Sequence, residues 1–145
     1  MFRLFSLPRI NDISTDLQDP PAFVSDSGRP CAGVSYPSNF KSKVAESYSD
    51  LSSEPLAMSA GDAFARAVRI AGEMDAWEVV HTDSDTLQLE AVCTTSLLRF
   101  KDDVCIRVTA DGDGARVDMR SRSRLGKHDF GANADRIRAY FSRLR

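Results

Sequence analysis

The chain has 145 residues, of which 42% are hydrophobic and 28% charged, which is typical of one globular domain and excludes a disordered or fibrous protein. Three widely spaced cysteines without a C-x-x-C pair argue against a disulfide framework and a structural zinc site. No run reaches the roughly 18 apolar residues of a membrane span, and the first ten residues do not resemble a signal peptide. We therefore expect a soluble chain, cytoplasmic by default, or from the envelope or an organelle if a targeting segment was removed.

Charge is distributed unevenly along the chain, although the net charge is only −2. Residues 1–98 carry 7 basic and 14 acidic side chains, whereas residues 115–145 carry 9 and 3. Such an asymmetry can indicate an anionic partner at the basic end. The interpretation we favour is that the acidic front half folds onto the basic back half of the same domain.

Residues 1–50 are predicted to form an extended, Pro-rich arm that wraps a body formed by residues 51–145. Prolines at positions 8, 20, 21, 30 and 37 are too frequent for a helix or a central strand. The apolar residues between them come in small islands suited to docking. Residues 25–42, rich in Ser, Gly and Pro, are expected to be the most mobile part.

The body is predicted to be an α+β domain with two layers, a four-stranded antiparallel sheet packed by two helices. The first helix runs from about Ala60 to Met74 with Ser59 as its N-cap, and the second begins after Gly131. Between them, four segments alternate apolar and polar residues, as expected for strands with one solvated face. These segments are Trp77–Thr82, Thr86–Thr95, Asp103–Thr109 and Ala115–Arg124.

One strand register aligns apolar residues on the core face and opposite charges on the solvated face. It pairs Ala110 with Ala115, and Thr95 with Asp102. The cross-strand charge pairs that it predicts are Glu90–Arg107, Arg107–Asp118 and Asp103–Arg122, worth about 0.2–1 kcal/mol each. Three arginines are left without an acidic partner, and with an arginine of the last helix they form the candidate anion- or partner-binding set: Arg116, Arg120, Arg124 and Arg136.

The turn between the last strand and the last helix holds the densest group of polar and glycine residues, which are Ser123, Gly126, Asp129, Gly131 and Asn133. With Arg124, Arg136 and exposed helix N–H groups, this corner could bind a phosphate or a carboxylate. Because Asp129 and Asn133 are typical capping residues, we favour a structural corner that locks strand to helix.

The chain has no complete catalytic or metal-binding motif, since a nucleophile elbow, a P-loop, a dinucleotide fingerprint and a zinc-protease motif are all missing. Asp102 and Asp103 are adjacent, but consecutive strand residues point to opposite faces. A dyad of Cys93 or Cys105 with His81 is disfavoured by the same alternation. We therefore predict no catalytic residues, no metal ligands and no cofactor.

Several motifs occur together along the chain. They are Ile10-Asn11-Asp12-Ile13, Pro20-Pro21-Ala22-Phe23, Phe100-Lys101-Asp102-Asp103, Arg120-Ser121, Ser123-Arg124, Gly126, Asp129, Gly131, Asn133 and Arg136-Ile137. This pattern resembles the DUF1499 family of uncharacterised domains, in its N-terminal segment, its Phe-x-Asp-Asp element and its closing signature. The resemblance covers almost the whole chain and implies that the arm is ordered and docked. It implies no activity.

Three functional hypotheses follow. The leading one is a non-catalytic binding or accessory module whose arginine-lined face engages a protein partner or an anionic membrane surface. Such a module can be a subunit of a larger membrane-associated complex. The second is a carrier of a small ligand or lipid, or an unrecognised enzyme, with a pocket between sheet and helices. The third is a structural subunit whose arm binds a neighbour. Nucleic acid is disfavoured because aromatic interleaving is missing and the chain is acidic overall.

Overall fold

The computed structural model describes residues 6–145 of the chain. Within these residues it contains six strands and three complete helices. The strands are β1 Asp12–Ser14, β2 Glu54–Leu56, β3 Trp77–Asp83, β4 Gln88–Thr94, β5 Lys101–Asp111 and β6 Gly114–Ser123. The helices are α1 Phe40–Ser47, α2 Ala60–Glu73 and α3 Ala132–Leu144. None of these helices combines the length and hydrophobicity that crossing a bilayer requires.

The α+β class and the antiparallel sheet are confirmed, but the predicted counts of four strands and two helices are wrong. The sheet order is β1-β6-β5-β4-β3, and β2 also pairs with β6. The two additional strands have three residues each, which is too short for alternation to be recognised. The additional helix, α1, lies in the segment that was predicted to be extended.

The strand register is confirmed for β5–β6 and is wrong by two residues for β4–β5. Ala110 lies opposite Ala115 as predicted, whereas Glu90 lies opposite Cys105 and not opposite Arg107. The last pair is Thr94 with Lys101, and the backbone N–H of Thr95 continues the same register by donating across the loop to the Phe100 carbonyl, at 2.8 Å. A two-residue shift leaves every side chain on its predicted face, so only the charge pairing changes.

Helices α2 and α3 cover one face of the sheet and bury the core between the layers. Ser59 caps α2 as predicted, since its hydroxyl accepts from the Asp62 N–H at 3.1 Å. Tyr140 of α3 donates its hydroxyl to the Ala67 carbonyl of α2 at 2.7 Å, and its ring stacks on Trp77 with centroids 5.2 Å apart. The apolar stripe predicted for the last helix is buried as expected, at Ile137, Tyr140, Phe141 and Leu144.

The other face of the sheet was predicted to be solvated, and the structure shows that the N-terminal segment covers it. Glu90 and Asp118 on this face are buried. The arm forms hydrogen bonds with it: the Val24 N–H donates to Glu90 at 2.9 Å, and the Ala22 carbonyl accepts from the Gln88 side chain at 2.6 Å. The alternation of apolar and polar residues could not reveal that the arm covers this face. Polar side chains of the sheet remain polar in sequence even when backbone groups of the arm hydrogen-bond to them. The division of the chain at residue 50 stays a prediction.

Candidate functional site

Arg120 is the most deeply buried of the four arginines in the candidate binding set, with 1% of its surface exposed. Its guanidinium binds both carboxylate oxygens of Asp12, at 3.0 and 2.8 Å, and donates to the carbonyls of Pro21 and Val34. The rings of Phe23 and Tyr36 lie 4.8 and 5.4 Å from its Cζ. All these partners belong to the arm, so Arg120 fastens the arm to the sheet.

The other predicted arginines also have acidic partners, so the expectation that Arg116 and Arg124 lack one is wrong. The acids lie 3.3 Å away at most. The pairs are Arg116 with Asp118, Arg124 with Asp103, and Arg136 with Asp102. The register argument considered only residues directly opposite each other, and these contacts run along or diagonally across strands or come from another element. The binding role of these arginines stays a prediction.

The predicted cross-strand charge pairs are realised in part. Arg107 lies 4.0 Å from Asp118, as predicted, and binds Asp16 of the arm at 3.0 Å.

The other two predicted pairs do not form. Asp103 lies opposite Arg122, but its carboxylate receives two hydrogen bonds of 2.8 Å from Arg124. Glu90 pairs with Arg29 of the arm and not with Arg107. The competing partner of Glu90 comes from the arm, whose position the sequence did not show, and that of Asp103 is the residue that directly follows β6.

The polar corner is an internal hydrogen-bond network centred on Asn133. Its amide nitrogen donates to Ser123 and Asp129, each at 2.9 Å, and its amide oxygen accepts from Ser121 at 2.7 Å and from Arg136 at 2.9 Å. Every hydrogen-bonding group of the Asn133 amide is therefore used within the protein. The Asn133 amide thus has no free donor for an anion, and the structural role that we favoured for the corner stays a prediction.

Gly131 allows the chain to turn from the corner into α3. It has φ of 85°, and a Cβ on it would lie 3.1 Å from the Leu7 Cδ1. Its N–H donates to Asp129 at 2.9 Å, which holds the turn before α3, whereas the N-cap position, Gly131, makes no side-chain capping bond. The carbonyl of the other predicted glycine, Gly126, accepts from the Asn11 side chain at 2.8 Å.

An apolar cleft of about 440 Å³ lies between the β4–β5 loop and the corner. Five large hydrophobic residues that are exposed in the structure line it: Leu97, Leu98, Phe100, Leu125 and Phe130. A cluster of exposed apolar side chains of this kind is typical of a binding surface. Each wall also carries a non-glycine residue with positive φ, Arg99 at 58° and Phe130 at 53°, a conformation that concentrates at functional sites.

The polar groups beneath the cleft are already engaged. Asp102 is paired with Arg136, and burial raises the pKa of the Asp102 carboxyl against the opposing effect of that arginine. The Nδ1 of His128 accepts from the Phe130 N–H at 3.0 Å, and the two rings stack 4.2 Å apart. Because each group is held by the protein, the cleft is equipped for binding an apolar group.

The cysteines offer no activated nucleophile. Burial raises the pKa of Cys93 and of Cys105 to about 12 in each case, so both remain thiols near neutral pH. Within residues 6–145 no three His, Cys, Asp or Glu side chains are grouped to hold a metal ion.

The chain matches the family described as "Protein of unknown function (DUF1499)" over residues 12–144. The chain belongs to the DUF1499 family. No curated protein matches it. Among solved structures, one match is the crystal structure of Ara h 8.0201, with 10% sequence identity, a TM-score of 0.45, and coverage of 63% of this chain and 92% of that chain. This likeness is too weak to assign a fold or a function.

In this DUF1499 domain the cleft is the feature that sequence reasoning missed. The signal was present in Leu97, Leu98 and Leu125, which are large apolar residues in segments predicted to be loops. Apolar residues in a loop can turn inward or outward, and the sequence does not say which. The structure shows that they gather at one end of the sheet and stay exposed.

Proposed function

We propose that this DUF1499 protein is a non-catalytic binding module that docks on an anionic membrane surface through its apolar cleft and the two loops that border it. The observation that carries the proposal is the concentration of exposed hydrophobic side chains at this one end. Leu97 and Leu98 are 87% and 64% exposed at the loop tip. Monomeric proteins rarely display such a cluster without a use for it.

Burial of these side chains in the membrane interface supplies the affinity. Transferring a fully exposed leucine from water is worth about 1.5–3 kcal/mol. Because Leu97 and Leu98 are 87% and 64% exposed, the two side chains together contribute roughly 2–4 kcal/mol. Leu125 and Phe130 lie on the facing wall and add to this when the cleft meets the acyl region. Interfacial binding needs apolar groups to reach only about 5–10 Å into the headgroup boundary, which loop tips can do.

Charge around the cleft favours an anionic surface. Arg99 and Lys101 flank the exposed loop, and neither has a carboxylate oxygen within 4.0 Å. The acids that line the cleft, Asp102 and Asp129, are buried. An overall acidic protein therefore presents an end that is apolar and locally basic, which complements anionic lipid.

The contact surface in this proposal is the cleft, and not the four arginines that the sequence suggested. Arg120 is buried and paired, so it contacts a partner only if the arm is displaced. The accessory role within a membrane-associated complex stays part of the proposal, with the cleft as the membrane contact.

A second candidate function is the carriage of a small apolar ligand. The cleft volume of about 440 Å³ falls in the range of about 300–1,000 Å³ found for ligand pockets. Native mass spectrometry of the purified protein tests it, because a carrier retains a bound molecule that disappears in a Leu125→Asp variant.

Vesicle flotation tests the membrane proposal. We expect the wild-type protein to float with phosphatidylcholine vesicles containing phosphatidylserine, and the Leu97→Asp/Leu98→Asp variant to lose at least tenfold in affinity. Val80→Asp is the matched control, because Val80 is also exposed but lies on β3 and does not line the cleft. Circular dichroism checks that each variant is folded. Equal flotation of the double variant and the wild type would refute the proposal.

A further inference from the structure

A second pocket lies beside the apolar cleft, and we infer that it binds the phosphate of an anionic lipid headgroup. The inference rests on the proposed membrane function and names the lipid chemistry that the same end of the molecule selects. The pocket has a volume of about 310 Å³ and is lined by Arg9, Asn11, Asn39, Phe40, Lys43 and Lys127. It therefore brings three cations together and no acid.

The pocket is unusual because three basic side chains without an acidic partner line it together. Arg9, Lys43 and Lys127 have no carboxylate oxygen within 4.0 Å, whereas eleven other basic side chains in residues 6–145 do. Like charges that share one pocket repel each other unless an anion lies between them. The pocket thus concentrates positive charge that no carboxylate of the described residues neutralises, and an external anion can do so.

The scaffold holds the cations at defined places. Lys43 projects from α1, and its Nζ lies over the Phe40 ring, 5.6 Å from the centroid, a cation–π contact that favours this position of the ammonium. Lys127 belongs to the corner, and Arg9 precedes the buried Ile10, whose carbonyl accepts from the Asp129 N–H at 3.0 Å. Three separate segments therefore each contribute a cation to the same pocket.

The pocket and the cleft are contiguous. Gly126 lines the cleft and the next residue, Lys127, lines the pocket. Asn11 ties the two together through its hydrogen bond of 2.8 Å to the Gly126 carbonyl. A lipid with its acyl chain against the cleft would thus place its phosphate near the three cations.

Phosphate is the anion that this donor set suits best. Two ammonium groups and one guanidinium supply several N–H donors around one centre, and a phosphate offers several acceptor oxygens with a full negative charge. A zwitterionic headgroup carries a trimethylammonium group, which the same cations repel. The pocket is therefore expected to favour lipids whose phosphate is not neutralised, such as phosphatidic acid.

Binding to vesicles by surface plasmon resonance tests the inference, with phosphatidylcholine alone, with added phosphatidylserine, and with added phosphatidic acid. A cation near an anionic surface contributes about fivefold in affinity, so Lys43→Gln/Lys127→Gln should lower binding to phosphatidic-acid vesicles roughly 25-fold and leave binding to neutral vesicles unchanged. Lys41→Gln is the matched control, since Lys41 also lies on α1 without a carboxylate partner but lines another pocket. It should change affinity less than twofold.

The outcomes separate this inference from the membrane proposal. If Leu97→Asp/Leu98→Asp abolishes vesicle binding while Lys43→Gln/Lys127→Gln does not weaken it, the membrane proposal stands and the headgroup inference is overturned. A loss of about fivefold in Lys41→Gln also overturns it, because each cation then contributes equally and the effect is one of net charge. If the wild type binds no vesicle but inorganic phosphate shifts the Asn11 and Lys127 amide resonances, the pocket is a free-anion site and the lipid assignment is overturned.

Discussion

Replacing Arg120 with methionine tests whether the arm is held to the sheet by the buried ion pair with Asp12. The substitution keeps the length and apolar character of the side-chain stem and removes the guanidinium. It deletes two bonds of 3.0 and 2.8 Å to the Asp12 carboxylate and two more to the carbonyls of Pro21 and Val34. Asp12 is fully buried, so its charge would remain without its main partner.

The structure allows the size of the effect to be estimated. Removing one partner of a buried ion pair costs about 3–5 kcal/mol, because the other charge is left desolvated. Burial already raises the pKa of the Asp12 carboxyl in the folded protein, against the opposing effects of Arg120 and Arg122. The Nε of Arg122 remains 3.7 Å from Asp12 and compensates in part. We therefore expect a loss of about 3 kcal/mol, which a domain of typical stability, about 5–15 kcal/mol, survives.

Urea unfolding followed by circular dichroism at neutral pH measures the free energy of unfolding. Arg116→Met is the control, because Arg116 is 40% exposed and Asp118 keeps its bonds from Thr15 and Ser53. A partly exposed pair contributes at most about 1 kcal/mol. The Asp12→Asn/Arg120→Met variant should be more stable than the sum of the two single changes predicts. If Arg120→Met costs no more than Arg116→Met, the ion pair does not hold the arm.

Three further predictions concern the corner, a helix end and a surface pair. Asn133→Ala removes the four hydrogen bonds that the buried Asn133 amide makes with neighbouring side chains and should lower the free energy of unfolding in urea by about 3 kcal/mol. Ser59→Ala removes the N-cap of α2 and should cost about 1 kcal/mol in the same assay. The bond from Arg138 lowers the pKa of Asp50, so the pair stabilises the fold above the ordinary pKa of aspartate and loses this effect as pH falls through the lowered value. Asp50→Asn should therefore lower the melting temperature slightly at about pH 7 and leave it unchanged at about pH 2.

Each of these three predictions has a contradicting result. An Asn133→Ala protein as stable as the wild type would show that water or rearrangement satisfies the corner. A Ser59→Ala protein of unchanged stability would show that the start of α2 does not depend on its cap. A difference between Asp50→Asn and wild type that persists in acid would point to a cause other than the ion pair.

The sequence was sufficient for the elements that are long and strongly periodic. The helix capped by Ser59 and the β5–β6 register through Ala110 and Ala115 were predicted correctly. A three-residue strand such as β1 gives no periodic signal, and the β4–β5 register continues into the loop through a backbone bond that residue alternation does not predict. For that reason Glu90 was assigned the wrong charged partner although its face was right.

Of the candidate site, the sequence singled out only the polar corner and not the apolar cleft beside it. Asn133 and Asp129 were singled out as a structural corner because they are typical capping residues. They hydrogen-bond to each other at 2.9 Å, but no side chain caps α3, and the structural role of the corner stays a prediction. The apolar cleft depends on Leu97 and Leu125, which are 28 residues apart and meet only because β5 and β6 place their flanking loops at the same end of the sheet. Local patterns carry no information on whether such residues end up buried or exposed.

By itself, the sequence determined the family, the α+β class and the face on which each core residue of the main strands lies. The family follows from the motifs, and the rest follows from the spacing of apolar and polar residues in the helices and strands. Only the tertiary structure decided where the arm runs and which charges meet. Arg120 illustrates the difference. The two-residue period of the strand placed it on the polar face, but it is buried in an ion pair with Asp12 because β1 pairs with β6. Contacts between segments about a hundred residues apart depend on how the chain closes on itself, and no local pattern encodes that closure.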